Sequence, residues 1–157
     1  MKTLIVYASK YGFTADCVNL LKDKLQGEVT TVDINKVTSQ LDLSEIDTVM
    51  IGGSIYVGKT SKKLREFCEK NLDALNHKKI GLFLCCALVE NEAQLFMDNF
   101  SASLLENVKA KKIFGSDARL EKMNFLDKTI IKAVTKGDFS RFKISEENID
   151  AFAREMS

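Results

Sequence analysis

Short, dense apolar runs alternate along this chain with stretches in which apolar residues return every third or fourth position. Residues 2–8, KTLIVYA, form the first run, rich in strand formers and apolar enough for a strand covered on both faces. From Thr14 onward Cys17, Val18, Leu21 and Leu25 recur at helical spacing. Residues 28–34, EVTTVDI, predict a second strand, less apolar and therefore nearer a sheet edge. Residues 47–54, DTVMIGGS, predict a third that ends at paired glycines, and 61–75 a helix with Leu64, Phe67, Cys68 and Leu72 on one face. A buried strand is predicted over 79–88, a helix over 91–108 and a fifth strand over 110–117. Near the end, 122–137 places Phe125, Leu126, Ile130, Ile131 and Val134 on one helical face, expected to pack on the sheet rather than form an interface. Ser145 then heads a last helix, 145–156, with acids in its first turn.

Strands alternating with amphipathic helices imply parallel pairing through right-handed crossovers, so the fold class is α/β, a three-layer sandwich. In such sheets ligands gather beyond the carboxyl ends of the strands. Three loops therefore matter: residues 9–14, 54–59 and 87–94.

Composition narrows the reading. At 157 residues the chain suits one compact domain, 1–157. Its 23 basic and 22 acidic residues nearly cancel, to a formal charge of +1, which gives no general attraction for nucleic acid. No signal-peptide pattern and no apolar run of membrane-spanning length is present, so a cytoplasmic protein is expected. Cys17, Cys68, Cys85 and Cys86 lack metal-ligand spacing and are expected to be buried reduced thiols, with no metal bound. No catalytic triad stands out, and His77, ahead of two lysines, is expected to be structural or solvent-facing.

The first loop, SKYGFT, holds Ser9, Lys10, Tyr11, Gly12, Phe13 and Thr14. Gly12 permits close backbone approach, the amides that open the next helix favour an anion, and Ser9 and Thr14 offer hydroxyl donors to phosphate. The same residues also make ordinary turns and caps, and Lys10 can face solvent as well as a ligand. The stretch has neither the Walker pattern nor GxGxxG, which argues against a nucleotide hydrolase or an ordinary dinucleotide fold. In the second loop Tyr56 can stack on a flat ring or serve as a packing residue. In the third, Leu88 and Val89 offer apolar contact, while Asn91 and Glu92 suit a helix start.

SKYGFT resembles the phosphate loop of the flavodoxin-like family through Ser9, Gly12 and Thr14; Tyr11 and Phe13 stand where that family usually has a hydroxyl residue and asparagine. The opening MKTLI, the strand end GGSIYVG beside a GASI pattern, and the late ARLEKMNFLDKTIIKAVTKG are similar to the menaquinone-dependent protoporphyrinogen oxidase branch. That branch carries a longer basic, aromatic insertion after the fourth strand, where this chain runs almost directly into NEAQLF.

The resemblance implies a five-stranded parallel sheet of order 2-1-3-4-5 and noncovalently bound FMN. It puts Ser9, Lys10, Tyr11, Gly12, Phe13 and Thr14 near the phosphate. Ser54, Ile55, Tyr56, Val57 and Gly58 would lie beside the isoalloxazine, and Ala87, Leu88, Val89 and Asn91 near its other edge. A glycine peptide beside the flavin can reorient on reduction, which makes Gly58 the candidate for redox tuning. The expected function is electron transfer between a redox partner protein or small redox substrate and an acceptor. The alternatives are protoporphyrinogen IX oxidation coupled to quinone reduction, with peripheral membrane contact, and a cofactor-free binding module.

Overall fold

The computed structural model describes residues 1–87, 89–117 and 119–157. The chain runs β1 (Lys2–Ala8), α1 (Phe13–Lys22), β2 (Glu28–Asp33), β3 (Thr48–Ser54), α2 (Lys62–Lys70), α3 (Leu72–Leu75), β4 (Lys79–Cys85), α4 (Glu92–Asn99), α5 (Ala102–Glu106), β5 (Val108–Gly115), α6 (Phe125–Thr135) and α7 (Glu146–Met156). All five strands pair in parallel in the order β2-β1-β3-β4-β5, as expected.

Alternation within the strands makes two cores. On β1, Leu4 and Val6 face a layer with Leu64 and Phe67 of α2, Phe96 of α4 and Leu104 of α5. Ile5 points the other way, into a layer with Cys17, Val18 and Leu21 of α1 and Ile149 and Phe152 of α7. The central strands β1, β3 and β4 are buried almost throughout, whereas edge strand β2 is not. Close approach needs small residues: a Cβ on Gly81 would stand 2.6 Å from Phe152, so this glycine lets α7 lie flat on β4.

Three helices differ from their expected form. The single helix over 61–75 is broken at Asn71, whose side chain donates to the Phe67 carbonyl at 2.8 Å and closes α2 before α3 begins. The helix over 91–108 is likewise two, because Phe100 is extended and Ser101 caps α5 by accepting from the Leu104 amide at 3.3 Å. The third correction concerns α6: Phe125 is 86% exposed and Leu126 65%, so this face does not pack on the sheet. The reason is occupancy, since α7 already covers β4 and β5 on that side. Residues 116–143 form an excursion that leaves β5 and returns beside it, where Ser116 donates to the Lys143 carbonyl (3.2 Å) and Ser145 to the Phe114 carbonyl (2.9 Å). The excursion carries α6 over the carboxyl ends of the strands.

Candidate functional site

The loop after β1 turns on Gly12, whose φ of +91° places it in the left-handed region, and the Gly12 amide donates to Ser9 Oγ at 3.1 Å. Gly12 is the N-cap of α1 and supplies no side chain, so the first-turn amides have no intrahelical partner. Thr14 is 1% exposed, lines a cavity at this end of the sheet, and its Oγ1 has no hydrogen-bond partner. An orphaned buried hydroxyl beside free amides at the positive end of a ten-residue helix is the donor set of an anion site.

The second loop is a two-residue turn. Tyr56 and Lys59 exchange backbone hydrogen bonds of 2.9 and 3.1 Å, while Val57 (φ +49°) and Gly58 (φ +74°) are both left-handed. Buried Asn99 fixes the turn from α4, donating to the Gly58 carbonyl at 3.1 Å and accepting from the Thr60 amide at 2.8 Å. Beyond its chain neighbours, nothing lies within 4 Å of where a Gly58 Cβ would be, so this position borders open space.

Together these loops and the end of β4 enclose a cavity of about 310 Å³, within the range of small-molecule sites. Ser9, Lys10, Tyr11, Phe13, Thr14, Ser54, Ile55, Tyr56, Val57, Gly58 and Ala87 all line it. Gly12 shapes the first loop without lining the cavity. Val89 packs on the core, and Asn91 caps α4 by accepting from the Gln94 amide at 3.1 Å. Leu88 lies outside the described residues. His77 is exposed in the turn before β4 and does not line the cavity.

Cys85, Cys86 and Leu95 also line the cavity, and the opposite wall comes from the excursion: Ser116, Asp117, Met123, Asp127, Ile130, Ile131, Val134 and Phe142. Asp127 organises it. Its carboxylate, 4% exposed, accepts from Lys10 at 2.6 Å and from the hydroxyls of Tyr11 and Tyr56, joining α6 to both of the first two loops. Burial works against ionisation of this acid, but the three donors outweigh it and bring its pKa down to about 2. Burial and the bond to Asp127 raise the Tyr11 phenol, and the bond to Asp127 with burial raises Tyr56. The Lys10 ammonium also sits 4.3 Å from the Tyr56 ring centre.

Arg119 closes the outer side of the first loop. It donates from Nη1 to the Tyr11 carbonyl (3.2 Å), from Nε to Asp117 (3.1 Å) and from Nη2 to Asp16, with its guanidinium 5.7 Å from the Phe13 ring centre. Neither Asp127 nor Arg119 belongs to the loops that periodicity singled out. The available signal was an acid set inside the apolar stretch FLDKTII.

Beneath the cavity the Cys17 and Cys85 thiols are hydrogen-bonded, and that contact together with burial pushes the Cys17 pKa up, leaving an unreactive thiol. Among the described residues no cluster of His, Cys, Asp or Glu has the makings of a metal site, and no helix is long and apolar enough to cross a membrane.

The sequence matches the family described as Flavodoxin domain over residues 4–142. No curated protein matches it significantly. Among solved structures, a flavodoxin from the domain Archaea is similar over 99% of both chains at 16% identity, with a TM-score of 0.54. The oxidised Flavodoxin 1 from Bacillus cereus is similar over 90% of this chain and 97% of its own at 16% identity and a TM-score of 0.53. A flavoprotein in complex with FMN from Lactobacillus acidophilus NCFM is similar over 71% of this chain and 92% of its own at 14% identity and a TM-score of 0.52. At these identities the likeness is one of fold.

Proposed function

Because this chain belongs to the flavodoxin-domain family, we propose that it is a cytoplasmic, single-domain protein that binds FMN noncovalently and transfers electrons between a redox partner protein or small redox substrate and an acceptor. The observation that carries this reading is the buried, unpartnered Thr14 hydroxyl at the head of α1, on the wall of a cavity of small-molecule size. Ser9, Gly12, Phe13 and Thr14 would hold the phosphate through hydroxyls and amides. Residues 54–58 and Ala87 would flank the ring, with Tyr56 offering an aromatic face and left-handed Gly58, held at its carbonyl by Asn99, bringing the backbone close. Bound there, FMN supplies one- and two-electron chemistry. The chain's residues orient it, and the apolar side of α6 lines the outer wall of the cavity.

A second reading, oxidation of protoporphyrinogen IX coupled to quinone reduction, draws support from the apolar wall of Met123, Ile130, Ile131 and Val134, which suits a large flat substrate better than an open carrier site does. An absorbance spectrum of the purified protein, repeated after adding FMN and removing the excess, tests the shared premise. Flavin retained near one per chain supports it; no retained flavin in either sample refutes it and favours a cofactor-free binding module. Turnover of protoporphyrinogen by the loaded protein then separates the two readings.

A further inference from the structure

The anion site at the head of α1 carries an electrostatic problem. Asp16 stands in the first turn of that helix, with its side chain 59% exposed, and so sets a negative charge near the helix end at which a phosphate would bind. Lys10, the lysine of the same loop, is held by Asp127 at 2.6 Å and has its charge matched there. Arg119 arrives from the excursion after β5, pairs with Asp16, and donates to the Tyr11 carbonyl at 3.2 Å. Its Nη1 lies 2.9 Å from the position a Gly12 Cβ would take. Three of its five N–H donors are engaged by Asp117, Tyr11 and Asp16. Arg119 also has a left-handed backbone, φ +33°, a conformation that non-glycine residues hold only where surrounding contacts demand it.

Resting on the FMN reading, we propose that Arg119 is a positioning and specificity residue: it cancels Asp16 and holds the Tyr11–Gly12 peptide, so that the site selects phosphorylated flavin over riboflavin. The guanidinium acts on the nest through the field and through the loop's shape. Without it Asp16 is unmasked beside the anion, and the buried Thr14 hydroxyl and the first-turn amides compete against an uncompensated negative charge. Riboflavin lacks the phosphate and is indifferent to that charge.

Fluorescence titrations with FMN and with riboflavin, on the full chain freed of flavin, test this in the wild type, Arg119→Gln, Arg119→Lys and the double variant Arg119→Gln with Asp16→Asn. Arg119→Gln is expected to weaken FMN roughly tenfold while riboflavin stays within about twofold. Arg119→Lys keeps most of the affinity, and Asp16→Asn restores most of what Arg119→Gln loses. Equal losses for both flavins, no loss, or no restoration by Asp16→Asn overturns the proposal while leaving the FMN reading standing. If the wild type binds neither flavin, the FMN reading fails, and thermal unfolding with inorganic phosphate decides for Arg119. Stabilisation of the wild type that Arg119→Gln loses supports the role; equal stabilisation, or none, overturns it.

Discussion

Asp127 on α6 and Lys10 in the loop after β1 are joined by a 2.6 Å ion pair across 117 positions of chain, and the acid is buried while the lysine is half exposed. The folded carboxyl titrates at about 2, below the ordinary 3.8. The unfolded chain therefore takes up this proton first as the pH falls. The pair's contribution is fully present above about pH 4 and is lost as the pH drops through about 2. With screening by the water-accessible cavity it amounts to on the order of 1–2 kcal/mol. Asp127→Asn is expected to lower the urea midpoint at pH 7 and to converge on the wild type near pH 2. A gap that does not change with pH would show that packing, not charge, ties α6 down.

Val57 occupies the first central position of the Tyr56–Lys59 turn, is β-branched, and is 73% exposed. A left-handed backbone costs such a residue about 1–2 kcal/mol, whereas asparagine accepts it readily. Val57→Asn should stabilise the fold by roughly 1 kcal/mol, a rise in Tm of about 2–4 °C for a chain of this size. A calorimetric scan that shows no rise would mean that the valine's contacts offset its strain.

Asn99 is 5% exposed and uses its whole amide: it donates to the Gly58 and Leu95 carbonyls at 3.1 and 2.9 Å and accepts from the Thr60 amide at 2.8 Å. Asn99→Leu strands these groups without partners and is expected to cost roughly 3 kcal/mol in chemical denaturation. Asn99→Asp keeps the acceptor for Thr60 but loses both donors and turns a buried carboxylate on the Gly58 and Leu95 carbonyls, so at pH 7 it should cost at least as much as Asn99→Leu. A loss well below about 3 kcal/mol in both variants would show that these bonds do not hold the turn.

Much of this fold could be read from period alone, for a physical reason. A parallel strand covered on both faces is a dense apolar run, which is why the expectation for residues 2–8 coincides with β1. Helix breaks were less legible. Asn71 and Ser101 sit in positions that keep the helical spacing, and only their side-chain bonds to Phe67 and Leu104 end one helix and start another. The α6 stripe was misread because periodicity reports an apolar face and not what it meets. Phe125 and Leu126 meet solvent, and Ile130 and Ile131 meet a cavity. The first two loops were visible because glycine and hydroxyl residues follow apolar runs directly. Asp127 and Arg119 reach Tyr11 from 116 and 108 residues away, a separation at which no local pattern signals a partner.

Gly12 and Gly137 allow strain and site geometry to be separated. Both have left-handed backbones, φ +91° and +76°, so an alanine at either pays a similar conformational cost of about 1–2 kcal/mol. Their surroundings differ. A Cβ at Gly137 meets nothing within 4 Å, whereas one at Gly12 meets Arg119 Nη1 at 2.9 Å, in the turn that presents Ser9 and Thr14. Gly12→Ala must move the guanidinium, reshape the turn, or both. Gly12→Ala is therefore expected to lose at least as much stability as Gly137→Ala by urea denaturation, with FMN affinity reduced about tenfold or more only in Gly12→Ala. If Gly137→Ala weakens FMN as much, general loosening of the fold accounts for the effect. If Gly12→Ala binds FMN as the wild type does, the phosphate does not rest on this loop.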